Sequence, residues 1–294
     1  MKPSLTIAIP TYNRPEKIYT QVMALVPQIT DEVRLIVQDN HSDTPVESLF
    51  EESVKEKCTF LRNKQNIGAD ANIAKCVDLC ETQWLLILGD DDPMESWAVE
   101  TILSDIKNAG EKTVFLNYDP TREIRVTGID GFLKCCDNRY WCLFWMSGCV
   151  YNTDLLKDCY HQYFYSISTM QPNIVLLVNS LIKHPDYSIW ITGKNIHKEA
   201  GADIHWNRDS YIYASLFVFD VLWQHYDLLK GTLFSAIAGN LYRHIITISK
   251  HEKNRKHTWH LMRTIAKRRG LCNTLRYDFQ WYKSCFYHGL ITQK

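Results

Sequence analysis

The sequence predicts an α/β protein with a mainly parallel sheet flanked by helices, followed by a helical C-terminal region. Two observations carry this prediction. In the first 120 residues, short and nearly continuous apolar runs alternate with segments of helical spacing, as in parallel sheets that are covered on both faces. From about residue 211 onward the strand signals disappear and only helical patterns remain.

The individual elements follow from these patterns. The predicted strands are 5–10, 33–39, 58–63, 84–89, 113–117, 123–127, 142–151 and 187–192. The predicted helices before residue 200 are 15–26, 69–80, 96–108 and 173–183. Pro15 suits the first turn of the first helix, and Asn13 is a suitable cap.

The composition excludes several classes of protein. Lys plus Arg and Asp plus Glu both number 33, so the chain is not the strongly basic protein typical of nucleic-acid binding. The longest apolar stretch, 211–223, contains Asp220 and is too short for a bilayer span. The N-terminus lacks a signal-peptide pattern and the ten cysteines are irregularly spaced, which predicts a cytoplasmic protein with reduced thiols.

Each of the first four strands is followed by a polar loop. These loops are 11–14, 39–40, 66–68 and 90–92. Ligands of open parallel sheets bind beyond the carboxyl ends of the strands, so the four loops predict one shared site. The motifs GxGxxG, GxxxxGK[ST] and HExxH are absent from the sequence, which disfavours a glycine-loop nucleotide site and a zinc protease.

The strongest single signal is the triplet Asp90-Asp91-Asp92 after a buried strand. Three adjacent carboxylates repel one another, and a divalent cation explains them because Mg²⁺ and Mn²⁺ take oxygen ligands and complete their shell with substrate phosphates. The alternative is a solvated turn, since Asp-Asp-Pro is favourable turn chemistry. The polar loops at all four strand ends favour the metal site.

Four segments resemble the family 2 glycosyltransferases of the GT-A fold, in the order and spacing of that family. They are IAIPTYNRPEKI, LIVQDNHSDT, NKQNIGADANIAKCV and WLLILGDDDPM. The resemblance covers about the first 120 residues and extends more weakly to about residue 200. The form LGDDD, in place of the commoner LDADD, resembles the abequosyltransferase-like branch, which adds dideoxyhexoses or similar sugars to bacterial surface polysaccharides.

The resemblance implies roles for individual residues at the strand ends. The loop after the first strand borders the nucleotide, Asp39 contacts its base, and Asp90 lies near the ribose. The implied nucleotide-binding residues are Pro10, Tyr12, Arg14, Asp39, Asn40, Asn66, Gly68 and Asp90.

The same resemblance implies a metal site. Aligning LGDDD with LDADD makes Asp91 the main ligand of Mn²⁺ or Mg²⁺, with Asp92 assisting as a second catalytic carboxylate. His197, in NIHKEA, lies where many family members have a histidine near the metal or diphosphate. The metal would bridge the diphosphate of a nucleotide-sugar donor and neutralise the charge on the departing nucleotide.

The catalytic base is not identified by the resemblance. Inverting members of the family have a Glu-Asp pair before a late helix, and the corresponding segment here, MQPN at 170–173, has no carboxylate. Gln171 is the predicted catalytic residue of this segment, supporting an oxocarbenium-like centre, unless it is an ordinary helix-start residue. Unranked alternatives for a base are Asp154, Asp158, His161 and Asp186, and a retaining enzyme would use none of them.

These features predict a hexosyl- or deoxyhexosyltransferase acting on a saccharide or lipid-linked acceptor in bacterial O-antigen or capsule biosynthesis. The predicted catalytic domain, 1–200, has a nucleotide-binding half (1–118) and an acceptor half (119–200), and a helical region (201–294) follows. The main alternative is a non-catalytic, transferase-like scaffold subunit. A nucleotidyltransferase is disfavoured because TYNRPEK lacks the glycines of an activation loop.

The C-terminal region carries a separate signal. Between residues 243 and 276 there are ten Lys or Arg and one acid, a local charge of +9 on a neutral chain. Apolar residues at near-helical spacing accompany them, so the segment predicts peripheral contact with an anionic membrane, or a packed helix with a solvated basic face. The preceding aromatic segment, 211–242, is a candidate dimer contact.

Overall fold

The computed structural model describes residues 3–137, 139–198, 208–252, 260 and 264. The strands are β1 (Leu5–Thr11), β2 (Val33–Asp39), β3 (Cys58–Arg62), β4 (Trp84–Ile87), β5 (Thr113–Asn117), β6 (Glu123–Thr127), β7 (Cys149–Asn152) and β8 (Ser188–Thr192). The α-helices are α1 (Pro15–Leu25), α2 (Glu52–Lys55), α3 (Ala69–Asp78), α4 (Ala98–Asn108), α5 (Gly128–Cys135), α6 (Thr153–Leu156), α7 (Tyr160–Tyr165), α8 (Pro172–Lys183), α9 (Arg208–Val221), α10 (Tyr226–Leu229) and α11 (Leu233–Glu252).

The eight strands form one sheet in the order β3-β2-β1-β4-β7-β5-β8-β6. Strands β1 to β4 are parallel to their neighbours among themselves, and so are β5 and β8, whereas β7 and β6 run in the opposite direction. The predicted α/β fold with a mainly parallel sheet is confirmed. The carboxyl ends of β1, β2, β3 and β4 therefore lie along one edge.

Both faces of the sheet are covered. Successive apolar side chains of its buried strands point alternately into two cores, one on each face. Leu85 and Ile87 face a core that α3, α5 and α8 share, while Leu86 and Leu88 face a second core with α1 and α4. The fully buried strands at the centre of the sheet explain why they appear in the sequence as continuous apolar runs.

Two sequence predictions differ from the structure. The strand predicted at 142–151 is limited to β7, because backbone groups before it form 3₁₀ turns and the Asn117 side chain bonds the carbonyls of Cys142 and Gly148. Asn13 does not cap α1. Its backbone is left-handed, with φ of 51°, and its side-chain oxygen accepts the backbone N–H of Asp43 at 2.7 Å.

The helices α9 and α11 share one core with α8 rather than forming a separate one. Buried residues of α9 and α11, such as Phe219 and Leu241, belong to the same core as α8. Within the described part of the chain, no helix has the length and hydropathy needed to cross a membrane. The division of the chain at residues 118 and 200 stays a prediction, and the described residues contain only a fraction of the basic segment 243–276.

Candidate functional site

The aspartate triplet follows β4 at the edge of the sheet where β1 and β2 also end. Asp90 is buried, and its two carboxylate oxygens accept hydrogen bonds at 2.6 Å from the Thr11 hydroxyl and the Arg14 guanidinium. The second terminal nitrogen of Arg14 donates to Asp91, also at 2.6 Å. One arginine from the loop after β1 therefore holds two of the three carboxylates.

Burial raises the pKa of Asp90, and the negative charges of Asp91 and Asp92 raise it further. The hydrogen bond from Thr11 and the positive charge of Arg14 act in the opposite direction. The repulsion expected from adjacent carboxylates is therefore present at this site, and Arg14 offsets part of it.

Asp92 is held by a different set of groups. Its Oδ2 accepts the Ser147 hydroxyl at 2.5 Å and the indole N–H of Trp145 at 3.2 Å. The Ser147 oxygen in turn accepts the backbone N–H of Gly89 at 2.9 Å. The segment before β7 thus fixes the carboxylate that ends the triplet.

Gly89 leaves the space in which two carboxylates meet. A Cβ atom at this position would lie 2.6 Å from Oδ2 of Asp92 and 3.3 Å from Oδ1 of Asp91. Oxygens from both side chains therefore converge over the glycine, each within 3.3 Å of the same point.

The change Gly89→Ala should disturb this convergence. We expect the new methyl group to displace the Asp92 carboxylate from Ser147 and Trp145, lowering the free energy of unfolding by about 1–2 kcal/mol. Mn²⁺ affinity in the presence of a nucleoside diphosphate should fall about tenfold or more. Urea unfolding and calorimetric titration measure the two effects. Gly231→Ala is the control, because a Cβ there meets nothing within 4 Å, and metal affinity equal to wild type in Gly89→Ala would contradict the assignment.

His197 lies beside the triplet. Its segment pairs with residues 93–95, through the bridge between Met94 and His197, and its ring packs at 4.5 Å from that of Trp145. Nε2 is 2.7 Å from the Ser147 carbonyl oxygen, whereas the buried Nδ1 has no hydrogen-bond partner among the residues that the structure describes. Burial lowers the pKa of His197, although the Ser147 carbonyl and Asp92 favour its charged form.

The lowered pKa of His197 makes stability depend on pH. In the unfolded chain, His197 has the ordinary histidine pKa of about 6.5, so on acidification it is protonated at a higher pH than in the folded chain. The stabilising contribution of neutral His197 is therefore present above about pH 6.5 and is lost as the pH falls through the folded pKa. Thermal unfolding should therefore show a smaller loss of Tm on acidification below about pH 6.5 for His197→Gln than for wild type. The exposed His161 supplies the control, His161→Gln, and identical pH profiles for His197→Gln and wild type would contradict the prediction.

Asp39, at the end of β2, is buried and ion-paired. Its carboxylate accepts the backbone N–H of Ser42 at 2.8 Å and that of Val46 at 3.4 Å, and it binds the Arg62 guanidinium. Burial raises the pKa of Asp39, but the hydrogen bonds from Ser42 and Arg62 outweigh it and leave the pKa below its usual value. A charged carboxylate is therefore maintained at this strand end.

An amide network fixes the loop after β3. The Asn40 side chain donates to Asn66 Oδ1 at 2.9 Å and to the carbonyl of Gly68 at 3.2 Å, and it accepts the amide of Asn63 at 2.9 Å. Asn63 also donates to Asn72 at 2.8 Å. Gly68 has φ of +87°, a conformation that favours glycine, so the backbone can turn there into α3.

The loops after β1 and β2 are tied together. The backbone N–H of Asn13 donates to the Ser42 hydroxyl at 2.9 Å, and the backbone N–H of Asn40 donates to the Thr11 carbonyl at 2.9 Å. Tyr12 stands between these contacts and is 41% exposed, while Pro10 is half-buried within β1. Tyr12 thus offers an accessible aromatic face at the strand ends.

Gln171 lies in the core, away from the loops at the strand ends. It is fully buried before α8; its Oε1 accepts the Tyr140 hydroxyl, and its Nε2 donates to the hydroxyls of Ser215 at 2.8 Å and Tyr211 at 3.3 Å. The amide joins α8 to α9 in the core, so it has no exposed group with which to support a reacting centre. This burial favours the helix-start alternative for Gln171 over a catalytic role.

Sequence analysis missed several residues of this site. Arg62 could have been suggested from the sequence, because it is a basic residue near the end of the third predicted strand. In the structure it is paired with Asp39 of β2. Ser147 and Trp145 had none, since they lie in a segment whose pattern suggested a strand and meet Asp92 only through the tertiary fold.

A protein-family model matches the part of the chain that contains these strand ends. Residues 6–126, which include β1 from its second residue, β2 to β4 and all three aspartates, match the family model described as glycosyl transferase family 2. Over these residues the chain is similar to the family 2 glycosyltransferases. The family resemblance of the four strand-end segments is thereby confirmed for this part of the chain.

A curated relative matches part of the chain. An uncharacterized glycosyltransferase of Methanocaldococcus jannaschii is 28% identical over 95 residues, which cover 31% of this chain and 33% of that protein. The match therefore spans a third of the length of the relative.

Solved structures share the fold beyond the matched residues. TarS of S. aureus, residues 1–349, gives a TM-score of 0.59 at 13% identity, covering 90% of this chain and 80% of that one. The same TarS fragment in complex with UDP-GlcNAc gives 0.57 at 14% identity, covering 89% and 81%. At this identity the likeness concerns the fold, and it is consistent with the predicted GT-A type.

The similarity to family 2 implies a divalent metal, and Asp91 and Asp92 fit one. Their oxygens converge over Gly89, and Mg²⁺ is usually bound by one or two carboxylates together with substrate phosphates. Among the described residues there is no group of three or more His, Cys, Asp or Glu side chains suited to a metal ion. His197 is therefore not gathered with the two aspartates into one ligand set, and its Nε2 is engaged with Ser147.

Proposed function

We propose that this protein is a metal-assisted glycosyltransferase that uses a nucleotide-diphosphate sugar as donor. The single observation that carries the proposal is the convergence of Asp91, Asp92 and Arg14 at the carboxyl edge of the parallel sheet, within the residues that match the family. A TarS structure with the same fold holds UDP-GlcNAc, which supports a nucleotide-sugar donor.

Each part of the site has a proposed task. Asp91 and Asp92 hold Mn²⁺ or Mg²⁺, which when bound supplies positive charge to the donor diphosphate. Arg14 is a third exposed and carries a fixed charge, so its guanidinium is available to a phosphate oxygen while Asp90 retains the Thr11 hydrogen bond. Asp39 presents a charged acceptor to the nucleotide base, and Tyr12 offers a ring for the base to stack on.

The finer specificity is also a proposal. We propose a hexosyl- or deoxyhexosyltransferase whose acceptor is a saccharide or a lipid-linked oligosaccharide of bacterial O-antigen or capsule biosynthesis, in the abequosyltransferase-like branch. The form LGDDD, with Gly89 where the family more commonly has a carboxylate, supports that branch. A cytoplasmic location with peripheral membrane contact through 243–276, and a dimer contact through 211–242, stay predictions.

Screening donors tests the proposal. Release of nucleoside diphosphate from UDP-, GDP- and CDP-sugars is measured with Mn²⁺ and with EDTA, with and without a panel of methyl pyranosides as acceptors. We expect one nucleotide class to be hydrolysed or transferred in a metal-dependent way and to raise the Tm of the protein. Absence of binding and of release for all three nucleotide classes would contradict the proposal.

A non-catalytic scaffold subunit is the second candidate, favoured by the full burial of Gln171 and the absence of a carboxylate from segment 170–173. The same screen separates the two candidates. A scaffold would bind no nucleotide, or would bind one without releasing product in the presence of any acceptor.

A further inference from the structure

A cavity of about 130 Å³ lies on one face of the sheet, between β4, α3, α7 and α8. Its lining is mainly apolar and aromatic, with Ile87, Met146 and Tyr163 among the contributing side chains. For comparison, an apolar cavity of about 150 Å³ in another protein accommodates a benzene ring, so a six-membered ring is the size of group that fits.

Two residues that line the cavity are close in the chain to the aspartate triplet or to its partners. Ile87 ends β4 three residues before Asp90. Met146 lies between Trp145 and Ser147, the two residues that hold the Asp92 carboxylate. These two residues connect one end of the cavity, through the chain, to the place where the donor diphosphate is proposed to bind.

Asp70 is the one charged side chain among the described residues that line the cavity. It belongs to the first turn of α3, which follows β3 at the carboxyl edge of the sheet, and Asn40 bonds the adjacent Gly68 carbonyl. Its carboxylate makes no hydrogen bond and no ion pair with the described residues, and burial raises its pKa. Such a desolvated carboxylate is a better proton acceptor than a paired one.

The other carboxylates suggested as a base are less suitable. Asp154 follows β7, and Asp186 precedes β8, so both lie at the amino edge of the parallel strands, away from the triplet. Asp158 is paired with Lys183 and His184, and chiefly through the Lys183 hydrogen bond its pKa is lowered to about 2. A carboxylate with so low a pKa is a weak base at neutral pH.

We propose that this cavity is the subsite for the acceptor sugar and that Asp70 is the general base of the transfer. The apolar and aromatic lining suits the C–H face of a pyranose, and Asp70 accepts the proton of the attacking hydroxyl. The acceptor oxygen forms its bond to the anomeric carbon as the bond from that carbon to the diphosphate oxygen breaks. The electron pair leaves with the nucleoside diphosphate, and the proton resides on Asp70 before passing to solvent.

This inference rests on the proposed function, and its first test uses the donor and methyl pyranoside pair found in the screen above. Asp70→Asn should lower kcat about 10²–10⁴-fold while nucleoside diphosphate affinity stays within about threefold of wild type. The acid limb of the pH profile of kcat/KM should disappear in this variant. Asp78→Asn, a change at the exposed opposite end of α3, is the control and should match wild type.

The purely structural alternative is that Asp70 stabilises α3 through the helix dipole. That role would change the Tm of Asp70→Asn but leave the pH profile and kcat unchanged, and this outcome would overturn the proposal. Asp70→Glu, which keeps a carboxylate, should restore part of the rate, and it tests the base if Asp70→Asn fails to fold.

Filling the cavity tests the subsite independently of turnover. Binding of methyl 6-deoxyhexopyranosides and methyl hexopyranosides is measured by ligand-observed NMR on wild type and on Ile73→Phe, whose ring would occupy the cavity. We expect pyranoside binding to be lost and nucleoside diphosphate binding to be retained. Loss of nucleotide binding would mean that the cavity holds the donor, and retained pyranoside binding would mean that the sugar binds elsewhere; both results overturn the proposal.

The two proposals fail in distinguishable ways. If wild type binds no nucleoside diphosphate, the proposed function is wrong. If nucleotide binding and release are intact while Asp70→Asn and Ile73→Phe behave as wild type, only the acceptor subsite is wrong.

Discussion

Replacing Asp91 by alanine should reduce sugar transfer at least about 100-fold, because the variant loses one of the two carboxylates that converge over Gly89 and that we propose hold the metal. The fold should remain intact. Asp91 is only partly buried, and its partner Arg14 keeps its ion pair with Asp90. Loss of the negative charge also relieves repulsion on Asp90, so the free energy of unfolding should change by less than about 1 kcal/mol.

The measurement is metal-dependent release of nucleoside diphosphate, together with urea unfolding of the same samples. Asp31→Ala, at an exposed loop residue before β2, is the control and should leave both quantities unchanged. Full turnover in Asp91→Ala with unaltered dependence on Mn²⁺ would show that the metal, if any, binds elsewhere.

Replacing Asp39 by alanine should weaken nucleotide binding about tenfold or more, since a charge-assisted hydrogen bond contributes about 1.5–3 kcal/mol. The structure adds an effect on stability. Arg62 and the N–H groups of Ser42 and Val46 lose their acceptor, which should lower the free energy of unfolding by about 2–4 kcal/mol. Calorimetric titration with UDP, GDP and CDP, well below the Tm, separates affinity from stability.

The pH dependence of Asp39→Ala has a defined sign. The pKa of Asp39 is lowered in the folded state, so its stabilising contribution is fully present above the unfolded value of about 3.9 and is lost as the pH falls through the folded value. The stability difference between wild type and variant should therefore be largest at neutral pH and shrink in acid. Glu47→Ala, at an exposed residue of the following turn, is the control. Nucleotide affinity equal to wild type would show that Asp39 only supports Arg62.

The apolar pattern of the sequence was sufficient for the sheet and for the position of the triplet. Strands β2 and β5 have the predicted bounds, because fully buried strands produce continuous apolar runs that end at polar turns. Parallel pairing then brings the ends of β1, β2 and β4 to one edge, which is why Arg14, Asp39 and Asp90 were found as candidates from local pattern and family resemblance.

Contacts between distant segments were not available from the pattern. In the sequence, Gln171 is a polar residue at a helix start. Only the packing of α9 shows that its amide nitrogen donates hydrogen bonds to Ser215 and Tyr211. Asp158 looked like a free acid until the fold placed Lys183 and His184 against it.

Local sequence patterns were enough to predict the fold class, the edge of the sheet where the candidate site lies and the strand-end aspartates proposed for it. These are local properties, because each depends on the spacing of apolar residues within one element and on the residues that follow it. The tertiary structure alone decided which partner each carboxylate has: Arg14 for Asp90 and Asp91, Ser147 for Asp92, and none among the described residues for Asp70. The physical reason is that partnership and burial depend on distances between residues far apart in the chain, and those distances set the charge, pKa and accessibility on which the proposed chemistry depends.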